Sequence, residues 1–289
     1  MPVIKLTSDQ KLTRRAFLKK GMASGAILAL LGLSGYSFFV EKNHIELSRI
    51  RISSPRLPAS FRYMKILHIS DLHYGFFYDL EQLDQLVETI AWLSPDMICF
   101  TGDFVDQEFT ESEAKNAAKI LKRLPAPDGK FAVLGNHDYL ENVERVKNCL
   151  ANSGFRLLIN ERNVVRRGQD AIYISGMDDL LAGTPEPGRI FEDADLPDFF
   201  HILLAHEPDF ATEIKDSPVD LQLSGHSHGG QVNLPFMGPL ITPPLSRVYP
   251  SGLYKINQRL TLYTNRGLGT TILPFRFCCR PEIAVIELV

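Results

Sequence analysis

Five short apolar runs in this chain all end in Asp, His, Asn or Gly. They are "MKILHIS" leading into "DLH" (Asp71, His73), "DMICFTGD" (Gly102, Asp103), "KFAVLGNHD" (Asn136, His137, Asp138), "FHILLAHE" (His206) and "VDLQLSGHSH" (His226, His228). Between them lie stretches of helical spacing. Residues 79–93 place Leu80, Leu83, Leu86, Val87 and Ile90 on one face, "SEAKNAAKILKRL" stops at Pro125, and a third helix is predicted from about 142 to 152, closed by Gly154. Residues 43–54 alternate as an entry strand, and "FRLLIN", "AIYISGM", "LTLYTNRG" and "PEIAVIELV" read as further strands. Strand, polar loop and amphipathic helix in repetition restrict the chain to an α/β (α+β) sandwich with a mostly buried sheet. Sites in such folds gather where the strands end.

Taken singly, each strand-end cluster has an ordinary explanation. A strand-end Asp caps the next helix, and Asn, Asp and Gly make turns. Five such ends in one chain, all carrying oxygen or imidazole donors beside Gly, go beyond capping. Two or three carboxylates, an amide oxygen and four imidazoles are too many ligands for one metal. They suit two borderline divalent ions sharing a carboxylate. No cysteine joins the set, so a structural Cys-zinc site is excluded. Extended geometry turns residues i and i+2 the same way, so Asp71 and His73 are expected to grip one ion. Cys99, within an apolar run, reads as a small core residue, and Cys278 and Cys279 are assigned no bridge. His44 and His201 match no cluster and read as structural.

The formal charge of -3 over 289 residues hides an asymmetry. Residues 1–20 hold six basic residues (Lys5, Lys11, Arg14, Arg15, Lys19, Lys20) and one acid, Asp9, leaving 25 basic and 33 acidic residues in the remainder. A body that acidic is not expected to bind nucleic acid. The basic segment precedes an uncharged stretch at 21–40, long enough for a membrane span or a signal core. "TRRAFLK" at 13–19 resembles a twin-arginine signal, with Arg14 and Arg15 read by the twin-arginine translocase. No clear A-x-A site follows, so retention as an anchor stays open. The expected division is a signal or anchor at 1–43 and a catalytic domain at 44–289. The domain then works at the outer face of the cytoplasmic membrane, the cell wall or the periplasm.

The order D-x-H, G-D, G-N-H-D, H, G-H-x-H resembles the calcineurin-like metallophosphoesterase superfamily from about residue 64 to the end. "LQLSGHSHGGQVNLPFMGPLITPP" and "YTNRGLG" are similar to a subgroup of exported bacterial phosphoesterases, related to enzymes that cleave UDP-2,3-diacylglucosamine. The resemblance implies two mixed β-sheets flanked by helices and two divalent ions (Mn, Zn or Fe). Asp71, His73, Asp103 and His228 would hold one ion; Asp103 would bridge to the other, held also by Asn136, His206 and His226. Two ions clamp a phosphate's oxygens and acidify a water for in-line attack, so no protein nucleophile is required. His137 is placed to protonate the leaving oxygen or stabilise the transition state. Asp138 either orients His137 or caps the next helix. Arg266 either binds substrate phosphate or is structural.

The leading expectation is a phosphoesterase acting on a phosphate-ester small molecule or envelope component. A second is a UDP-2,3-diacylglucosamine pyrophosphatase that docks an acyl chain on "LPFMGPLITPPL". That run is otherwise expected to be a Pro-stiffened loop packed on the domain. A third, of another class, is a non-catalytic metal-binding protein of the envelope.

Overall fold

The computed structural model describes residues 13–106, 108–140, 142–191 and 198–289. Lys5, Asp9 and Lys11 lie outside them. Two six-stranded sheets face each other. The first holds β1 (Glu46–Ile52), β2 (Lys65–Ile69), β3 (Met97–Thr101), β4 (Lys130–Val133), β5 (Phe155–Leu157) and β14 (Glu282–Leu288), in the order β1-β14-β2-β3-β4-β5. The second holds β6 (Glu161–Arg167), β7 (Asp170–Gly176), β8 (Phe200–Leu204), β9 (Leu221–Ser224), β12 (Gly252–Lys255) and β13 (Thr261–Thr264), in the order β12-β13-β9-β8-β7-β6. A two-residue hairpin pairs β10 (Asn233–Leu234) with β11 (Gly238–Pro239). Both sheets are mixed: β2 to β5 run parallel, as do β7, β8, β9 and β13, while β14 runs antiparallel to β2.

Alternation along the strands builds the layers. Ile66, Met97, Cys99, Phe131 and Val133 turn inward against Ile172, Ile174, Ile202, Leu204 and Leu223 of the second sheet. Leu67, Ile69, Ile98, Phe100 and Ala132 turn outward and are covered by α2 (Leu80–Leu93), α3 (Glu111–Leu121) and α5 (Val143–Asn152). Capping boxes start two of these helices: Asp79 with Gln82 at α2, and Thr110 with Glu113 at α3. The outer face of the second sheet packs on Phe210, Ala211 and Ile214. Cys99 is buried between the sheets as expected, and all four cysteines are free.

Two edge strands, β6 and β12, go beyond the sequence expectation. Each is largely exposed on one side, and "ERNVVRR" carries too much charge to stand out as a strand. The sandwich otherwise has the expected fold class. Before it comes α1 (Arg14–Phe39), a 26-residue helix about 39 Å long at 1.5 Å per residue. It leaves the domain almost bare, touching it near Ser37 and Phe38. The buried Glu41 then accepts a 2.8 Å hydrogen bond from the Cys279 amide.

Candidate metal centre

All five clusters lie just past the carboxyl ends of parallel strands: Asp71 after β2, Asp103 after β3, Asn136 after β4, His206 after β8 and His226 after β9. The facing sheets therefore bring donors from both sides to one place. Among the described residues three groups result, each with its donor atoms within 4.8 Å of one another: the fully buried triads Asp71–His73–His228 and Asp103–His206–His226, and the more open His73–Asp106–His137. Asp103 Oδ2 stands between the two buried triads, 3.1 Å from His206 Nε2 and 3.5 Å from His73 Nε2.

The backbone that presents these groups is unusual. Asp71, His73, Asp103, His226 and His228 all have φ between 48 and 65°, the left-handed region that side chains with a Cβ disfavour. Asp71 and His73 therefore share a triad, but the extended i, i+2 geometry expected of them does not occur. Instead their amides donate to the carbonyls of Gly102 and Asp103, which holds the two ligand loops together. Gly225 and Gly135 allow the loops to close. A Cβ on Gly225 would run into Ser70 Oγ and Asp71 Oδ2, and one on Gly135 would sit 2.6 Å from the Asp103 nitrogen and 2.7 Å from His206 Cε1.

The hydrogen bonding leaves bare lone pairs facing inward. His206 Nδ1 lies 2.6 Å from the Thr101 carbonyl and donates there, and His226 Nε2 likewise donates to the Pro244 carbonyl at 2.9 Å. That turns His206 Nε2 and His226 Nδ1 toward each other, 3.2 Å apart. On the other side His73 Nδ1 is 2.7 Å from Asp106 Oδ1, and its Nε2 faces His228 Nε2 at 2.9 Å. The facing lone pairs of His206 and His226 repel unless a cation or a proton lies between them, and ring N–H groups tied to carbonyls and carboxylates are the usual support of metal-binding histidines. Asn136 Oδ1 is buried with no hydrogen-bond partner, as an amide oxygen reserved for a cation would be. The residues fit a pair of divalent ions.

Electrostatics agree. Burial raises the Asp103 carboxyl, but His206 and His73 outweigh it and hold Asp103 well below the usual carboxylate range. Burial lowers His206, and Asp103 and Asp71 more than reverse that, leaving it well above an ordinary histidine. Burial, with His206 beside it, pulls His226 down to about 3, and burial with His73 and Arg276 nearby keeps His228 neutral.

His137 is the most open member, with its side chain 25% exposed. Its backbone N–H donates to Asp103 Oδ1 at 2.9 Å, and its Nδ1 sits 2.9 Å from Asp106 Oδ1. Burial lowers its pKa, and the Asp106 hydrogen bond overcomes this and raises it. The orienting contact expected of Asp138 is therefore made by Asp106. Asp138 instead accepts hydrogen bonds from the Phe104, Val105 and Gly135 amides and ties the β3 and β4 loops together. Burial and the nearby Asp103 push its carboxyl up to about 7.

Arg266 also differs from the substrate-binding expectation. Its guanidinium is 3.1 Å from Glu282 and 3.4 Å from Glu46, in a structural ion pair. The arginine beside the metal centre is Arg276, fully buried, with Nη2 3.3 Å from His228 Nδ1. It donates to the carbonyls of Arg266, Gly267, Gly269 and Cys279. The sequence signals for the two missed residues were the second Asp of "GDFVD" and a lone charge in "LPFRFCC". His201 is structural, as expected, buried against Ser175 Oγ at 2.6 Å.

The fold and this centre define a metallophosphoesterase. Residues 64–230 match the calcineurin-like phosphoesterase family, and the chain belongs to it. It is 40% identical over 285 residues to the uncharacterized metallophosphoesterase YkuE of Bacillus subtilis, covering 96% of this chain and 98% of that protein. It is 32% identical over 283 residues to the phosphodiesterase YaeI of Escherichia coli, covering 96% and 100%. The UDP-2,3-diacylglucosamine pyrophosphatase LpxG of Chlamydia trachomatis is 30% identical over 307 residues, covering 86% and 90%. The chain is thus a metal-dependent phosphoric ester hydrolase.

Proposed function

We propose that the chain hydrolyses phosphodiester bonds at the cell envelope, with one divalent ion on Asp71, His73 and His228, a second on Asn136, His206 and His226, and Asp103 shared. The observation that carries this is the pair of buried triads meeting at Asp103 Oδ2; the buried Asn136 oxygen, which has no hydrogen-bond partner, supports it. When bound, two such ions neutralise phosphate oxygens and lower the pKa of a water between them. The chain's own residues do the rest. Asp106 fixes the His137 ring through Nδ1, leaving Nε2 to carry the proton needed by the leaving oxygen. The amides bonded to Asp138 hold the loop bearing His137 against the loop bearing Asp103. Mn, Zn and Fe all suit this donor set.

The envelope location rests on α1, which is long and apolar enough to cross a membrane and opens on the Arg14–Arg15 pair. In this reading the twin-arginine translocase exports the folded enzyme. Changing Arg14 and Arg15 to Lys should then keep the catalytic domain on the cytoplasmic side, shielded from protease added outside the membrane. A second reading, a pyrophosphatase acting on UDP-2,3-diacylglucosamine, is favoured by the likeness to LpxG and by apolar side chains standing exposed at 236–241. The test is hydrolysis by the purified, metal-loaded full chain of bis(p-nitrophenyl) phosphate, a phosphomonoester and UDP-2,3-diacylglucosamine. Activity on the diester supports the first reading, and selective cleavage of the nucleotide sugar supports the second. A fully metallated protein inert toward all three would refute both and leave a metal-binding envelope protein.

A further inference from the structure

The run expected to pack on the domain does the opposite. Phe236 is 108% exposed, Ile241 80% and Ile272 85%, and Met237, Leu240 and Leu273 are exposed with them. They lie on two neighbouring segments, the β10–β11 hairpin with its continuation, and the loop before Arg276. The segments are joined by Gln231, which exchanges hydrogen bonds with Thr271, and by the Phe277 carbonyl, which accepts from the Asn233 amide. No charged residue occurs at 231–246 or at 267–275, although 22% of the chain is charged. Phe236 and Ile272 also hold φ of 69° and 62°, strained for residues with a Cβ, so the loops keep these side chains outward at a conformational cost. A crest of this kind is not the surface of a freely soluble domain.

We propose that this crest docks into the lipid bilayer that α1 enters, so that the enzyme rests on the membrane surface by two contacts. The inference rests on reading α1 as a membrane anchor. What commits the crest to lipid is continuity. The last turns of α1 and this same face border one apolar groove of about 630 Å³, lined by Leu31, Phe38 and Phe39 on the helix and by Val232, Phe275 and Phe277 on the domain. The Arg276 amide reaches the Ser37 carbonyl, and Glu41 holds Cys279, so the crest is fixed beside the helix end. Apolar side chains lying beside a membrane-entering helix insert at the headgroup boundary. The crest is also rooted in the metal centre, since Pro244 accepts from His226 and Gln231 follows directly on His228–Gly230. Docking would therefore hold the centre near phosphate groups at the bilayer surface.

The full chain, reconstituted in lipid nanodiscs, tests this by fluorescence. In a Trp92→Phe background, Phe236→Trp and Ile272→Trp each introduce a single indole, with Val164→Trp on β6 as the reference. Phospholipids brominated near the headgroup should quench the indoles at 236 and 272 strongly and the one at 164 little. Equal quenching at all three positions, or none at 236 and 272, would overturn the proposal. An indole shielded only in discs carrying two chains, and insensitive to bromine, would assign the face to a second copy and also overturn it. Quenching requires no turnover, so it succeeds or fails separately from the hydrolytic reading. As a second arm, the pair Phe236→Asp and Ile272→Asp should abolish quenching of an indole at Met237 while leaving hydrolysis of a soluble diester unchanged.

Discussion

Gly135→Ala should disable the centre without removing a single ligand. The new methyl carbon would stand 2.6 Å from the Asp103 nitrogen and 2.7 Å from His206 Cε1, and closer still to Asp103 Oδ1. Carbon atoms pack at about 3.5–4.0 Å, so relief requires the loops to part by roughly 1 Å. The groups forced apart are the shared carboxylate and a ligand from the opposite sheet. Misplacement by about 1 Å can cost on the order of 100-fold in rate, or about 2.7 kcal/mol of transition-state stabilisation. The assay is diester hydrolysis at saturating metal, with metal content measured on the same sample. Gly168→Ala serves as the control: it adds left-handed strain of about 1–2 kcal/mol but meets nothing within 4 Å. It should lower the melting temperature and spare activity. Turnover and metal content at the unmodified level in Gly135→Ala would refute the argument that close approach of the loops builds the site.

His137→Ala should reduce turnover by roughly 100- to 10,000-fold, the range of general acid–base groups, while metal content is retained; loss of metal would show that His137 is a ligand. Asp106→Asn should cost about 10- to 100-fold, because it supports both His73 and His137, and it should weaken metal binding more than His137→Ala does. Arg266→Met should leave KM for a diester unchanged and lower thermal stability by about 3 kcal/mol, since it strands the buried Glu282. Burial raises the Glu282 carboxyl, but Arg266, Ser48 and Tyr263 outweigh it and hold it low. Its contribution is therefore present above the unfolded value near 4.5 and lost as pH falls through the lower folded value. Acid unfolding curves should show that loss in the parent chain and little of it in Glu282→Gln.

The donor types and their order were legible because a ligand must sit at a strand end, where apolar periodicity stops abruptly. Asp71, His73, Asp103, His206, His226 and His228 fall in the buried clusters for that reason, and Asn136 follows its strand in the same way. The backbone that aims them was not legible. Five left-handed residues at the ligand positions depend on contacts between loops distant in sequence, such as the Asp71 amide on the Gly102 carbonyl. The two carboxylates near His137 show the same limit. Asp138 is adjacent in sequence, but its position on α4 (Asn136–Leu140) points it at backbone amides, and Asp106 arrives from another loop. Arg266 drew the substrate reading because it sits in the more suggestive string, while the place of Arg276 beside His228 is decided by packing around Gly267 and Gly269. In the fold, the insertion of β14 between β1 and β2 is a long-range pairing with no local signal.

The most direct test of the central claim is elemental analysis of the purified chain alongside His226→Ala and His228→Ala. The two triads should give about two divalent ions per chain in the parent. Each single variant should retain about one, and the double variant should retain less than either. One ion in the parent, or two histidine variants that lose the same ion while the double variant keeps the other, would contradict a centre in which Asp103 joins two separate metals.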